Sequence, residues 1–247
     1  EERRAAMALA RQRREVELVA REALAPGVAR FVFALRDGAP LHAAPGQYVN
    51  LHLGPKGTLS RSYSLSAAGG PEGDRFELGV TRGEGGVGST ALHDLERGAR
   101  IALDGPWGVF TRDRADAAAP RLYVATGTGL TPIRAMLERD LAQPEGPPIT
   151  LLFGCRHAED RLWPDEWEAR AAAQRRVRYE VTLSRAGDDW DGRRGYVQRH
   201  LADVLARFDE APHAFVCGLR RMIDAVRAEL KETHGFDRKR IHTERYD

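Results

Sequence analysis

Hydrophobic and polar residues alternate in short runs through the first half of the chain. The segments 15–20 (EVELVA), 29–35 (ARFVFAL), 47–53 (QYVNLHL), 62–66 (SYSLS), 75–81 (RFELGVT) and 100–103 (RIAL) repeat with a period near two. That is the period of a strand with one buried face. Chain breakers separate the runs: Pro45-Gly46, Gly54-Pro55, Gly69-Gly70-Pro71 and Gly105-Pro106. Several short strands at this spacing predict an antiparallel sandwich or barrel.

The pattern changes after a polar, alanine-rich connector at 111–120 (TRDRADAAAP). Apolar runs at 121–126, 149–154, 178–184 and 213–217 now alternate with helical spacing at 132–141, 164–176, 197–208 and 221–233. Strict alternation of strand and helix predicts a parallel sheet with helices on both faces. The expected organisation is two domains: an N-terminal antiparallel β-barrel over 15–113, and an α/β parallel-sheet nucleotide-binding domain over 120–247.

Composition narrows the class. A chain of 247 residues can bury one large core or two modest ones. Its 42% apolar and 30% charged content is that of an ordinary globular protein, and a net charge of +2 gives no bulk attraction to nucleic acid or membrane. Only two cysteines are present, Cys155 and Cys217, far apart. They exclude a four-cysteine iron–sulfur cluster and a disulfide framework, and no metal site is expected. A reducing, cytoplasmic location is the expectation. No apolar run approaches membrane-spanning length, and the apolar core at 6–10 is too short for a signal peptide.

Six short motifs carry candidate chemistry. Arg61-Ser62-Tyr63-Ser64 opens a predicted strand. Residues two apart share a face, so Arg61 could pair with a diphosphate beside a Tyr63 ring stacked on a flavin, with the Ser64 hydroxyl near the ring. A plain surface strand fits the same residues. Gly85-Gly86-Val87-Gly88-Ser89-Thr90 precedes a predicted helix at 91–95, with Ser89 as its expected N-cap. This reads as an anion site or as a flexible hairpin. Gly127-Thr128-Gly129-Leu130-Thr131-Pro132 joins a strand to a helix; the glycines admit a diphosphate, and Pro132 suits a first helical turn. Cys217-Gly218-Leu219 leads to Met222, and a lone buried cysteine is usually inert core. Ser184-Arg185 ends a strand, and Arg194, Tyr196 and Gln198 follow; Arg185 and Arg194 together could clamp a phosphate. Glu244-Arg245-Tyr246 closes the chain before Asp247, as a functional terminus or a frayed tail.

Taken together and in this order, followed by Gly105-Pro106-Trp107-Gly108-Val109-Phe110, these motifs resemble the ferredoxin–NADP⁺ reductase family. The likeness runs from about Glu15 to Tyr246. It implies FAD and NADP as cofactors. Arg61, Tyr63 and Ser64 would hold the FAD diphosphate and flavin; Gly86, Val87, Gly88, Ser89 and Thr90 would form the diphosphate turn; Thr81 would lie near the adenine side. Gly127, Thr128, Gly129 and Pro132 would receive the NADP diphosphate, with Cys217, Gly218, Leu219 and Met222 at the nicotinamide. Ser184, Arg185 and Arg194 would take the 2′-phosphate, and Tyr196 and Gln198 the adenine. Asp188, Asp189 and Asp191 nearby keep NAD open. Ser64, Cys217, Glu244 and Tyr246 would form the catalytic set, although Asp247 after Tyr246 departs from the Glu-x-Tyr ending of the plant-type members.

The implied reaction is hydride transfer between NADP(H) and flavin, with single electrons passed to or from ferredoxin or flavodoxin. Arg3, Arg4, Arg11, Arg13 and Arg14 are a candidate patch for steering an acidic partner, or a solvated face. Three alternatives remain: an NADH-dependent oxygenase reductase or free-flavin reductase, a non-catalytic flavin-binding electron-transfer subunit, and a structural domain without cofactor.

Overall fold

A computed structural model describes residues 10–69, 73–83 and 85–246. The chain divides into two compact units. The first runs to Thr111 and includes Arg134–Glu138; the second comprises Arg112–Ile133 and Arg139–Asp247.

The first unit is a closed antiparallel barrel of six strands: β1 (Arg14–Ala25), β2 (Val28–Leu35), β3 (Tyr48–Leu53), β4 (Leu59–Gly69), β5 (Arg75–Thr81) and β6 (Arg100–Trp107). The circular order is β1-β2-β5-β4-β3-β6, closed by β6 against β1. Closure leaves no sheet edge. Alternation decides what points inward. Val16 and Leu18 are buried, while Glu17 faces out and pairs with Arg36 and Arg100. Phe33 and Phe76 are cross-strand partners whose rings stack 5.4 Å apart inside the barrel. One helix, α1 (Val87–His93), lies between β5 and β6 and buries Leu92 in the same core.

The second unit is a parallel sheet of β7 (Arg121–Thr126), β8 (Ile149–Cys155), β9 (Val177–Leu183), β10 (Arg193–Arg194), β11 (His213–Leu219) and β12 (Ile241–Tyr246), ordered β10-β9-β8-β7-β11-β12. Its helices are both ends of α2 (Leu130–Leu141), whose middle, Arg134–Glu138, belongs to the first unit, and α3 (Pro164–Ala173), α4 (Leu201–Leu205) and α5 (Arg220–Ala228). Leu122, Val124, Leu152, Ala214 and Val216 pack on one face with Leu201, Val204, Ile223 and Val226. The intervening Tyr123, Ala125, Phe153, Phe215 and Cys217 are equally buried, so both faces are covered. The chain steps outward from β7 to β10, then returns to place β11 on the other side of β7. Strand order therefore reverses between β7 and β11, where open α/β sheets bind ligands beyond the strands' carboxyl ends. Among the described residues, no helix is long and apolar enough to cross a membrane.

Several expected boundaries move. The helix expected over 164–176 stops at Ala173 because Arg176 turns back, its guanidinium donating to Asp140 O at 3.0 Å and Gln143 O at 2.7 Å to cap the end of α2. The helix expected over 197–208 divides into a 3₁₀ turn, Val197–His200, and the short α4. There His200 bonds Thr182 Oγ1 at 3.0 Å and Arg194 O at 3.1 Å. The segment 241–246 is no tail: it pairs with β11 in parallel from Ala214↔Ile241 to Leu219↔Tyr246.

Candidate functional site

In the barrel, β3 and β4 run antiparallel with Leu51↔Arg61, Asn50↔Ser62, Val49↔Tyr63 and Tyr48↔Ser64 as partners. Tyr63 packs half-buried against the barrel core, and burial raises its phenol to about 12, opposed by Arg61. The Arg61 side chain is exposed. Its one bond among the described residues is to the adjacent Ser60 O, at 2.8 Å, and it makes no ion pair there. Ser64 is buried.

The strand between Arg61 and Tyr63 is held from outside by residues that motif reading missed. Ser62 Oγ donates to Asn50 Oδ1 at 2.7 Å, and Asn50 Nδ2 donates to Asp104 Oδ1 at 2.8 Å. Asp104 also accepts from Trp107 Nε1 at 2.5 Å and bonds His52 Nε2 at 2.7 Å. Burial works to raise the Asp104 carboxyl, but these donors win and hold it below the usual range. Only the cross-strand register reveals this network, so no linear motif could have signalled it.

The glycine turn differs from its expected form. Helix α1 starts at Val87 with Gly86 as N-cap, not at Ser89. Ser89 lies inside the first turn, where its hydroxyl donates to Gly86 O at 3.1 Å and accepts from Gly83 N at 3.2 Å, tying the loop into a ring. Thr90 N continues the turn to Gly86 O at 2.9 Å. Gly88 passes directly over Arg61: a Cβ there would lie 2.5 Å from Arg61 Cγ and 3.1 Å from its Cδ and Nε. The first two motifs therefore meet as one cradle, a guanidinium with no ion pair among the described residues under a close backbone turn, with a 66%-exposed Val87 at its rim. Thr81 is exposed at the end of β5, and the next residue, Arg82, pairs with Asp94 at 2.8 Å. A dianionic diphosphate with an apolar ring fits this donor set.

In the second unit, Gly127–Gly129 form a 3₁₀ turn off β7 that runs into α2, with Pro132 in its first turn. A Cβ on Gly129 would lie 2.5 Å from Cys217 C and 2.7 Å from Gly218 N. Only glycine lets this turn rest on β11, at the carboxyl ends where strand order reverses. Gly218 abuts Thr126 and Met222, and Leu219 is 64% exposed. Cys217 is buried. Burial first, and then the Glu244 carboxylate, pushes its thiol well above the ordinary value, opposed by a hydrogen bond with Tyr246. It is therefore a neutral thiol. Glu244 and Tyr246 sit on β12 opposite Cys217 and Leu219.

Ser184 N and Arg185 N donate to Cys155 O at 3.0 Å and Arg156 O at 2.9 Å, which fixes both residues beyond β9. The Arg185 guanidinium makes no bond or ion pair among the described residues. Arg194 differs: it donates to Gly187 O at 2.9 Å and Trp190 O at 2.6 Å. Tyr196 is 60% exposed, and Gln198 follows in the 3₁₀ turn. An exposed ring two residues past β10, and an arginine unpaired among the described residues two residues past the neighbouring β9, suit the adenosine end of a dinucleotide. Among the described residues no three His, Cys, Asp or Glu side chains gather as a metal site.

The basic start of the chain is partly committed elsewhere. Arg14 is bound to Asp37 at 2.7 Å and to Pro40 O at 3.3 Å, bracing the barrel, while Arg11 and Arg13 are exposed. Arg3 and Arg4 lie outside the described residues.

Comparison with known proteins agrees with this geometry. Residues 15–111 match the oxidoreductase FAD-binding domain, and residues 123–228 match the oxidoreductase NAD-binding domain. The chain is 47% identical over 240 residues to ferredoxin–NADP reductase B of Sorangium cellulosum, covering 94% of this chain and 97% of that protein. It is 31% identical over 248 residues to the ferredoxin–NAD(+) reductase component of the Xanthobacter autotrophicus alkene monooxygenase system, covering 95% and 70% of the two chains. Among solved structures, the Amycolatopsis cytochrome P450 reductase GcoB superposes with a TM-score of 0.83 at 26% identity, over 95% of this chain and 69% of the other. A barrel with an Arg-x-Tyr-Ser strand under a glycine turn, joined to a sheet with its glycine turn at the switch point, and near-full-length identity to a reductase place this chain in the ferredoxin–NADP reductase family of FAD- and NAD-binding oxidoreductases.

Proposed function

We propose that this protein is a ferredoxin–NADP⁺ reductase, exchanging hydride with NADP(H) and single electrons with ferredoxin or flavodoxin. The observation that carries the reading is the 47% identity to ferredoxin–NADP reductase B across nearly the whole of both chains. We assign the flavin domain to 15–113 and the nucleotide domain to 120–247. When bound, FAD and the nicotinamide supply the redox chemistry; the residues of this chain bind, orient and protect them.

Arg61 meets the FAD diphosphate with charge-assisted bonds, and Gly86, Val87, Gly88, Ser89 and Thr90 close over it. Tyr63 offers a flat, half-buried face to the isoalloxazine, and Ser64 a hydroxyl to its edge. Gly127, Thr128, Gly129 and Pro132 present main-chain groups to the dinucleotide diphosphate at the switch point. Cys217, held as a neutral thiol, gives the nicotinamide a compact and uncharged surface beside Gly218, Leu219 and Met222. Glu244 and Tyr246 on β12 fix that surface. Ser184 and Arg185 take the 2′-phosphate, while Tyr196 and Gln198 take the adenine. Both cysteines are free thiols, consistent with a cytoplasmic location.

Steady-state turnover with NADPH tests the reading. Saturable reduction of ferredoxin or flavodoxin is expected. Fast reduction of free FMN with neither protein accepting electrons would move the enzyme to the flavin reductases. A second reading, NADH as donor, is favoured by the three carboxylates Asp188, Asp189 and Asp191 on the Arg185 loop.

A further inference from the structure

We propose that Arg194 is a positioning residue and not a phosphate ligand: it ties the loop 185–193 into the shape that presents Arg185 to the dinucleotide. The inference rests on the NADP reading above and divides two arginines of similar sequence appearance into different roles.

Both hydrogens of Arg194 Nη2 are spent on the loop, at 2.9 Å to Gly187 O and 2.6 Å to Trp190 O, and Nη1 reaches Ala186 O at 3.4 Å. The planar fork is turned inward onto three main-chain carbonyls. A phosphate seeking that fork would have to break these bonds, leaving Ala186 O and Trp190 O without the Arg194 donor and Gly187 O with the Trp190 amide alone.

Trp190 supplies the other half of the brace. Its amide bonds Gly187 O at 3.2 Å, and its indole Nε1 donates to Arg193 O at 2.9 Å. Its ring lies 5.8 Å beneath the Arg161 guanidinium, which is itself paired with Glu168 at 2.8 Å. The loop sequence, Arg-Ala-Gly-Asp-Asp-Trp-Asp-Gly-Arg, holds two glycines and three like charges and has little reason of its own to keep one shape. The brace provides one. Arg185 stands at the loop's start with its amide fixed to Arg156 O and its guanidinium unbound among the described residues. One arginine holds the loop, and the other is left to bind.

The test uses the FAD-loaded full chain and two probes, 2′-phospho-ADP-ribose and ADP-ribose, titrated by calorimetry. Amide hydrogen exchange over 186–191 is followed in parallel. Arg185→Ala should weaken only the phosphorylated probe, by about 10- to 100-fold. Arg194→Ala should also weaken it, but the double variant should be no worse than Arg185→Ala alone, because Arg194 acts through Arg185. Trp190→Ala, which removes no charge, should behave as Arg194→Ala does. Exchange over 186–191 should rise at least about tenfold in both loop variants. Losses that multiply in the double variant, or unchanged exchange in Arg194→Ala, would overturn the proposal. If Arg185→Ala alters neither probe, the NADP reading fails, and the exchange measurement still decides whether Arg194 ties the loop.

Discussion

Replacing Gly88 with alanine separates cofactor binding from stability. The new Cβ would sit 2.5 Å from Arg61 Cγ, against an ordinary carbon–carbon contact of about 3.5–4.0 Å. Relief needs a shift of about 1 Å, and because the clash begins at Cγ, near the root of the side chain, the whole exposed Arg61 side chain must move, at a cost on the order of 1 kcal/mol. On the proposed reading its guanidinium, at the far end of the lever, would then leave the diphosphate. Losing a hydrogen bond to a charged group costs about 1.5–3 kcal/mol, or about a 10- to 150-fold rise in the Kd for FAD. Gly88 lies within α1 at an ordinary helical φ, so alanine there also stabilises the helix by about 0.5–1 kcal/mol. Apoprotein titrated with FAD by fluorescence quenching should show the weaker binding, and thermal denaturation of the apoprotein an unchanged or slightly higher Tm. Arg61→Ala should show the same loss of FAD, and the double variant no more. If Gly88→Ala binds FAD as the wild type does while Arg61→Ala does not, the cradle geometry is wrong. If Arg61→Ala also binds normally, Arg61 has no diphosphate role.

Asp140 is buried between Arg112 at 2.6 Å and Arg121 at 3.3 Å and accepts from Tyr123 Oη at 2.6 Å, so Asp140→Ala leaves two guanidinium groups uncompensated and should cost about 3–5 kcal/mol in urea denaturation. A loss under about 1 kcal/mol would show that the cluster does not anchor the second unit. His242 stacks on Phe215 and bonds His213 at 3.0 Å; burial, then the charges of His213 and Arg114, push it down to about 4. Its folded value lies below its unfolded value of about 6.5, so the unfolded chain binds more protons between these limits. Stability should therefore fall as pH drops from about 6.5 toward 4, by at most about 3 kcal/mol from this group, and His242→Phe should flatten the profile of Tm against pH. Cys217→Ala should slow flavin reduction in stopped flow while leaving FAD content unchanged; equal rates would remove the nicotinamide-side role of the thiol.

The barrel and the sheet were legible because burial enforces periodicity. The run 75–81 became β5 without change, and 121–126 became β7. Strands ran longer than their apolar signal where hydrogen bonding continued past it. β4 extends to Leu59–Gly69 because pairing with β3 and β5 carries polar residues along, and β6 reaches Trp107 beyond the Gly105-Pro106 pair. β12 was illegible because an edge strand reading Ile-His-Thr-Glu-Arg-Tyr has too little apolar character to stand out, and only β11 beside it makes it a strand. In the candidate site, residue types and order were visible, but their division of labour was not. Arg185 and Arg194 look alike on paper, and only the positions of three loop carbonyls separate them. The Ser62–Asn50–Asp104 chain joins the consecutive strands β3 and β4 to the distant β6, and that last link leaves no local trace.

An anaerobic titration of the FAD-loaded protein with NADPH and, separately, NADH, read by the visible flavin absorbance, tests the central claim most directly. Bleaching at low NADPH and only at much higher NADH is the predicted result. A flavin that neither nucleotide bleaches would contradict it, and equal or better bleaching by NADH would remove the 2′-phosphate role from Arg185.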